Sequence, residues 1–211
     1  MSEAPAARGF GDIRQLGYVV ADIDQAINAW TTQLAVAPWT VFRNVTLHCE
    51  YLGSPSQPII DVAMAYRGEM QIELIQQKND VPSPYRAMIE SGRYGLHHTA
   101  YLSADIHGDI QRAQAQGLES VCDINMPDGA RYAYMQSPDL GADVYIEFLQ
   151  ATLIMKTMFR RGIFAAAEWQ QQAGTPAKAL DIDMRNWKSI TASLSKTSLS
   201  WLRGLPSLLG R

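Results

Sequence analysis

Apolar and polar positions alternate along this chain with two periods, and the same succession of periods occurs twice. Residues 14–21, RQLGYVVA, form a short apolar run of strand type. Asp22 follows as a helix cap, with Gln25 three residues on as its capping-box partner. Ile23, Ile27, Trp30 and Leu34 then recur at helical spacing. Residues 39–47 and 59–67 are rich in Val, Ile and aromatics and predict strands. Arg67, Gly68 and Glu69 make a turn, from which MQIELIQ (70–76) returns as another strand. NDVPSPYRAMIESGRYG (79–95) reads as a polar loop with a short helix after Pro84.

The order then restarts. GLHHTAYL (95–102) predicts a strand and Asp105 a cap. Ile106, Ile110 and Ala113 give a helical face that Gly117 ends. Residues 118–124, 131–136 and 143–149 are three more strands, separated by Pro, Asp and Gly turns. QLGYVVADIDQAI (15–27) lies over HTAYLSADIHGDI (98–110) without a gap, and five of the thirteen positions are identical. QIELIQ (71–76) lies over YIEFLQ (145–150). Two matches in the same order within each half predict two copies of a βαβββ unit. The units span about residues 12–78 and 95–150, and the fold class is α+β.

The pattern changes after Gln150. Met155, Met158, Phe159, Ile163 and Ala166 suit a helix packed on the core, and QQQAGTPAK is a break. Trp187, Ile190, Leu194, Trp201 and Leu205 then form an apolar stripe at roughly helical spacing. Charge marks the same boundary. The net charge of −3 conceals 9 Lys and Arg against 18 Asp and Glu in residues 1–150, and 9 against 3 in residues 151–211. We therefore expect a domain over 1–150 and a basic amphipathic helical extension over 151–211. The extension is expected to dock on the acidic core or on a second subunit. Contact with an anionic membrane surface is the less favoured alternative. The acidic main domain argues against nucleic acid.

With 47% hydrophobic residues, 211 residues suffice for a real core. The first residues lack a signal-peptide core, and no window approaches the roughly 18 apolar residues of a spanning helix. Cys49 and Cys122 make neither a disulfide framework nor a metal pair. These features lead us to expect a cytoplasmic protein with buried thiols.

Candidate chemistry lies where the repeats align. Gln15 falls on His98 and Glu73 on Glu147, all four within apolar strands. A carboxylate inside a sheet costs several kcal/mol unless it is paired or binds a metal. Strand parity puts Gln71, Glu73 and Ile75 on one face, and Tyr145, Glu147 and Leu149 on one face. Parity also separates His97 from His98. If the units pair about a pseudo-two-fold, Gln15, Glu73, His98 and Glu147 converge as one nitrogen and three oxygens. That set suits a divalent ion. The alternative is a core histidine bonded to one glutamate, with the other glutamate at a sheet edge.

QLGYVVADID, MQIELIQ, GLHHTAYL and VYIEFLQ, in that order, resemble the vicinal oxygen chelate superfamily. That superfamily contains glyoxalase I, methylmalonyl-CoA epimerase, extradiol dioxygenases and the bleomycin-resistance proteins. The resemblance covers roughly residues 12–150. It implies that the paired modules form an open, cup-shaped sheet, with metal ligands from the first and fourth strands of each. Carried over, the ligands are Gln15, Glu73, His98 and Glu147, and the ion is Zn, Ni, Co or Mn. Many bacterial relatives have His in place of Gln15, although Gln occurs there in some glyoxalase I enzymes. A single ligand histidine weighs against an iron dioxygenase, which needs two.

The implied function is a metal-dependent isomerase, epimerase or lyase that acts on a carbon acid through a metal-stabilised enolate. Glu147 is the first choice of base and Glu73 the second. The alternatives are a non-catalytic small-molecule-binding protein of the same fold and a ring-cleaving dioxygenase. Trp39, Phe42, Tyr85, Arg86, Arg131 and His97 are candidate substrate contacts. The aromatic content suggests a fairly apolar small-molecule substrate. A homodimer is the expected assembly, as is common in the family, and the apolar stripe offers an interface for it.

Overall fold

The two units meet along their first strands. A computed structural model describes residues 9–126, 129–141, 144–172 and 179–186. The first unit runs β1 (Ile13–Val19), α1 (Ile23–Leu34), β2 (Thr40–Thr46), β3 (Cys49–Tyr51), β4 (Ser54–Ser56), β5 (Ile59–Arg67) and β6 (Met70–Gln77). The linking loop carries α2 (Arg86–Glu90). The second unit is β7 (Gly95–Ser103), α3 (Ile106–Ala115), β8 (Glu119–Asn125), β9 (Arg131–Gln136) and β10 (Tyr145–Gln150). The extension supplies α4 (Leu153–Gln171) and β11 (Leu180–Asp183).

The equivalent caps work in the same way. Asp22 accepts from the Gln25 amide at 2.9 Å, and Asp105 from the Gly108 amide at 3.0 Å. Each satisfies an N–H that the first turn leaves without a helical partner.

One mixed sheet runs through the molecule in the order β11-β2-β5-β6-β1-β7-β10-β9-β8-β3-β4. β1 is parallel to β6 and β7 to β10, whereas β1 and β7 are antiparallel. Gln15 faces Ala100, Leu16 faces Thr99 and Gly17 faces His98. Gln15 aligns with His98 and Gly17 with Ala100 in the repeat, so this register is that of a two-fold through the Leu16–Thr99 pair.

Helices α1 and α3 cover one face of the curled sheet. Ile23 at the start of α1 packs with Trp39, Ile72 and Leu74, and Ile106, Ile110 and Ala113 of α3 pack on Met135 and Phe148. The other face is the concave one, where Ile75, Tyr134 and Tyr145 lie. Alternate residues of β6 therefore divide as their parity predicts, with Ile72 and Leu74 under α1 and Glu73 in the cup.

The extension closes onto this frame. Thr152 caps α4, and Phe159 and Ala166 bury against Tyr66, Ala100 and Leu149. Gly162 lets α4 approach, since a Cβ there would fall 2.0 Å from the Tyr66 ring. β11 pairs in parallel with β2, so the sheet takes one strand from beyond residue 150. Arg43 fastens this edge by pairing with Asp24, Asp61 and Asp181.

Three strands escaped the hydrophobic pattern. β3, β4 and β11 have three or four residues each, too few to establish a period. Their neighbours specify them. β3 leaves the first unit and pairs with β8 of the second, with Glu50 opposite Asp123. The apolar stripe over 187–205 lies outside the described residues. Among the described residues, no helix is long and apolar enough to cross a membrane.

Candidate metal centre

The axis between β1 and β7 brings the four aligned polar residues together. One row of the sheet reads Gln71, Gln15, Ala100, Glu147, Tyr134, and the next reads Glu73, Gly17, His98, Tyr145. Small residues alternate with functional ones, so the large polar side chains reach over Gly17 and Ala100. The fit is closest at Gly17, where a Cβ would lie 1.9 Å from His98 Cε1. The imidazole occupies the space that any other residue would fill.

His98 Nε2 lies 3.2 Å from Gln15 Oε1, 3.4 Å from Glu73 Oε2 and 3.1 Å from Glu147 Oε2. Ligand atoms of Glu73, His98 and Glu147 all fall within 4.8 Å of one another. The short approach of Glu147 Oε2 to the ring nitrogen is poorly aligned for a hydrogen bond. Among the described residues, that buried oxygen has no hydrogen-bond partner. An orphaned buried carboxylate oxygen beside two further oxygens and an imidazole nitrogen is the donor set a divalent cation requires. The residues therefore fit the ion that the sequence implies.

The cluster sets its own charge states. Burial pulls the His98 imidazole down, but the Glu147 and Glu73 carboxylates outweigh it and push its pKa up to about 9. Burial raises the Glu147 carboxyl against the attraction of His98.

Parity predicted that His97 and His98 would face opposite ways, and the backbone overturns this. β7 bulges here: Gly17 pairs with His98 while the next residue, Tyr18, pairs with Leu96. A bulge leaves one residue unpaired and re-aims its side chain. That residue is His97, so both rings lie on the concave side, with their Nδ1 atoms 3.1 Å apart. The matching irregularity in β1 falls between Ile13 and Gln15, at the residue aligned with His97.

His97 packs among Tyr85, Tyr134 and Tyr145, with Nε2 3.0 Å from the Pro84 carbonyl oxygen. A carbonyl only accepts, so Nε2 carries the proton. Burial, helped by the charge on His98, lowers the His97 pKa to about 3 and keeps the ring neutral. Its Nδ1 must then accept from His98 Nδ1–H. A neutral His98 consequently presents an open Nε2 lone pair to Gln15, Glu73 and Glu147. A second chain orients Gln15: its Nε2 donates to Gln71 Oε1 at 2.6 Å, and Gln71 Nε2 donates to the Tyr66 hydroxyl at 2.5 Å.

The other candidate contacts scatter. Phe42 and Tyr85 line the cup above the cluster, while His97 sits behind His98. Trp39 is buried on the opposite face, with its indole N–H on Thr31. Arg86 pairs with Asp80 and Glu90, and Arg131 with Asp123; neither lines the cup. Sequence reasoning missed Gly17, Gln71, Tyr66 and Tyr134. The same parity that selected Glu73 already placed Gln71 beside it, whereas nothing in the sequence marks Tyr134 as the neighbour of Glu147.

A family model described as "Glyoxalase/Bleomycin resistance protein/Dioxygenase superfamily" matches residues 14–134. Among solved structures, a hypothetical protein from Bacillus halodurans aligns at 22% identity and TM-score 0.49, covering 67% of this chain and 94% of that one. The methylmalonyl-CoA epimerase from Mycobacterium tuberculosis aligns at 17% identity and TM-score 0.48, covering 69% and 91%. The Streptomyces coelicolor methylmalonyl-CoA epimerase aligns at 14% identity and TM-score 0.43, covering 67% and 95%. No curated protein sequence matches the chain.

Proposed function

Because the chain belongs to the glyoxalase/bleomycin resistance protein/dioxygenase superfamily, we propose that it is a metal-dependent isomerase, epimerase or lyase acting on a carbon acid. The observation that carries this reading is the orphaned Glu147 oxygen beside His98 and Glu73 at the floor of an open cup. Gln15, Glu73, His98 and Glu147 would hold a divalent ion such as Zn, Ni, Co or Mn. Bound there, the ion would supply a Lewis acid for a substrate carbonyl oxygen.

The rest is the work of the side chains. Glu147 takes the proton from the carbon next to the carbonyl, and its burial-raised pKa suits a base acting near neutral pH. Glu73, its mate across the axis, returns a proton to the other face or to a neighbouring carbon. Gln71 and His97 keep Gln15 and His98 aimed inward. The single histidine of the set disfavours the dioxygenase alternative.

Elemental analysis of protein purified without chelators should find about one Zn, Ni, Co or Mn per chain, lost in Glu73→Ala and His98→Ala. Iron instead would restore the dioxygenase. No metal in the purified protein, and none taken up when offered, would sink the proposal. In Glu147→Gln, solvent-deuterium exchange into carbon acids should fall by at least 100-fold while most of the metal stays. Full exchange by that variant would remove Glu147 from the role of base.

A further inference from the structure

The walls of the cup carry information about what enters it. Phe42, Leu47, Ile60 and Met64 form the wall from the first unit, and Ile124, Met126 and Tyr132 the wall from the second. Ile154, Met155, Met158 and Met184 come from the extension and lie over the same space. The cavity holds about 190 Å³, more than the ~150 Å³ apolar cavity that admits a benzene molecule. Five of the chain's nine methionines line it. Methionine is unbranched and adapts to irregular shapes, so such a wall suits hydrocarbon of varied outline.

Charge points the same way. Among the described residues, the charged groups lining the cup are Glu73 and Glu147. Several cations near it are held by acids outside the cup: Lys78 by Asp61, Arg43 by three aspartates, Arg131 by Asp123 and Arg185 by Asp183, while Lys156 and Arg160 on α4 are exposed to solvent. Among the described residues, no lysine or arginine lines the cup, so a carboxylate or phosphate placed against its apolar walls, away from the ion site, would lose its hydration without a charged partner.

We infer that the substrate is an uncharged carbonyl compound bearing a hydrocarbon group of about the size of a benzene ring. This rests on the carbon-acid reading above, in which the carbonyl end lies at Glu73, His98 and Glu147. The hydrocarbon end then lies against the methionines of the extension, and burial of apolar surface supplies the recognition.

The test is equilibrium binding to the full-length, zinc-loaded chain. The probes are acetylacetone, its homologues with one methyl lengthened stepwise to hexyl, and acetoacetyl coenzyme A, which carries a similar dicarbonyl head on a polyanion. Affinity should rise roughly threefold to fourfold per added CH₂, and the coenzyme A ester should bind no better than acetylacetone. A flat response to chain length, or tightest binding by the ester, would overturn the inference. Met158→Asp should flatten the response, with its zinc content reporting that it folds; an undiminished slope in that variant would also count against the inference. Chelator-treated protein separates the two readings. If it binds the series as tightly as the loaded chain, the ion reading fails while the hydrocarbon selectivity stands.

Discussion

Gly17 and His97 act on His98 from opposite sides. Gly17 gives the ring room, and His97 fixes its proton. Gly17→Ala drives a Cβ to within 1.9 Å of the imidazole, so either the ring leaves or the strands part. Overpacking of this kind costs about 1–3 kcal/mol. Zinc affinity in a chelator competition should fall at least tenfold, with far-UV circular dichroism unchanged. His97→Phe keeps an aromatic ring among the tyrosines but removes the acceptor for His98 Nδ1–H. Loss of such an outer partner lowers metal affinity about 10- to 100-fold, and the same competition measures it.

The two histidines also shift in opposite directions from one reference of 6.5. His98, raised to about 9, stabilises the metal-free fold fully below pH 6.5 and loses that contribution as pH rises toward 9. His97, lowered to about 3, favours the fold above pH 6.5 and costs progressively more as pH falls toward 3. The melting temperature of chelator-treated protein should therefore peak near pH 6.5. His98→Gln should flatten the alkaline side, and an unaltered alkaline decline would mean that another group titrates there.

At the scale of elements, the repeat made much of this arrangement legible. The aligned caps, the strand parity of Glu73 and Glu147, and the βαβββ order could all be read from the chain, because each depends on local spacing. The bulge at His97 could not, since it exists only in the pairing of β7 with β1. β4 and β11 were hidden for a related reason: an edge strand of three or four residues takes its conformation from the strand it joins. The substrate contacts fared less evenly. Trp39 carries the residue type of a pocket wall, but it lies with Val41 under α1, whereas Phe42, of the opposite parity, faces the cup. The lid-like part of the extension was legible as an apolar helix, yet its place over the cup depends on Gly162 meeting Tyr66. Gly162→Leu should push α4 away and unseat Met155 and Met158. We expect the variant to keep its metal and to bind apolar dyes several-fold more strongly than the native chain.

Across the whole molecule, the sheet has no internal seam. β1 joins β7 along the axis, and β3 crosses to β8. Neither unit has a complete edge without the other, so the described core should melt in one cooperative transition. Hydrogen exchange should be slowest in β1 and β7, which lie at the centre. Two separated transitions, or early exchange at the axis, would contradict a shared core.

The crossing of β3 onto β8 also bears on ancestry. A duplicated half can drift freely only while each copy remains self-sufficient. Once one copy lends a hairpin to the other and each supplies two of the four polar groups at the axis, deletion of either is lethal to both. The duplication is then locked in, because neither half can be lost alone. The glutamine of one half set against the histidine of the other is the kind of asymmetry that such an inheritance leaves.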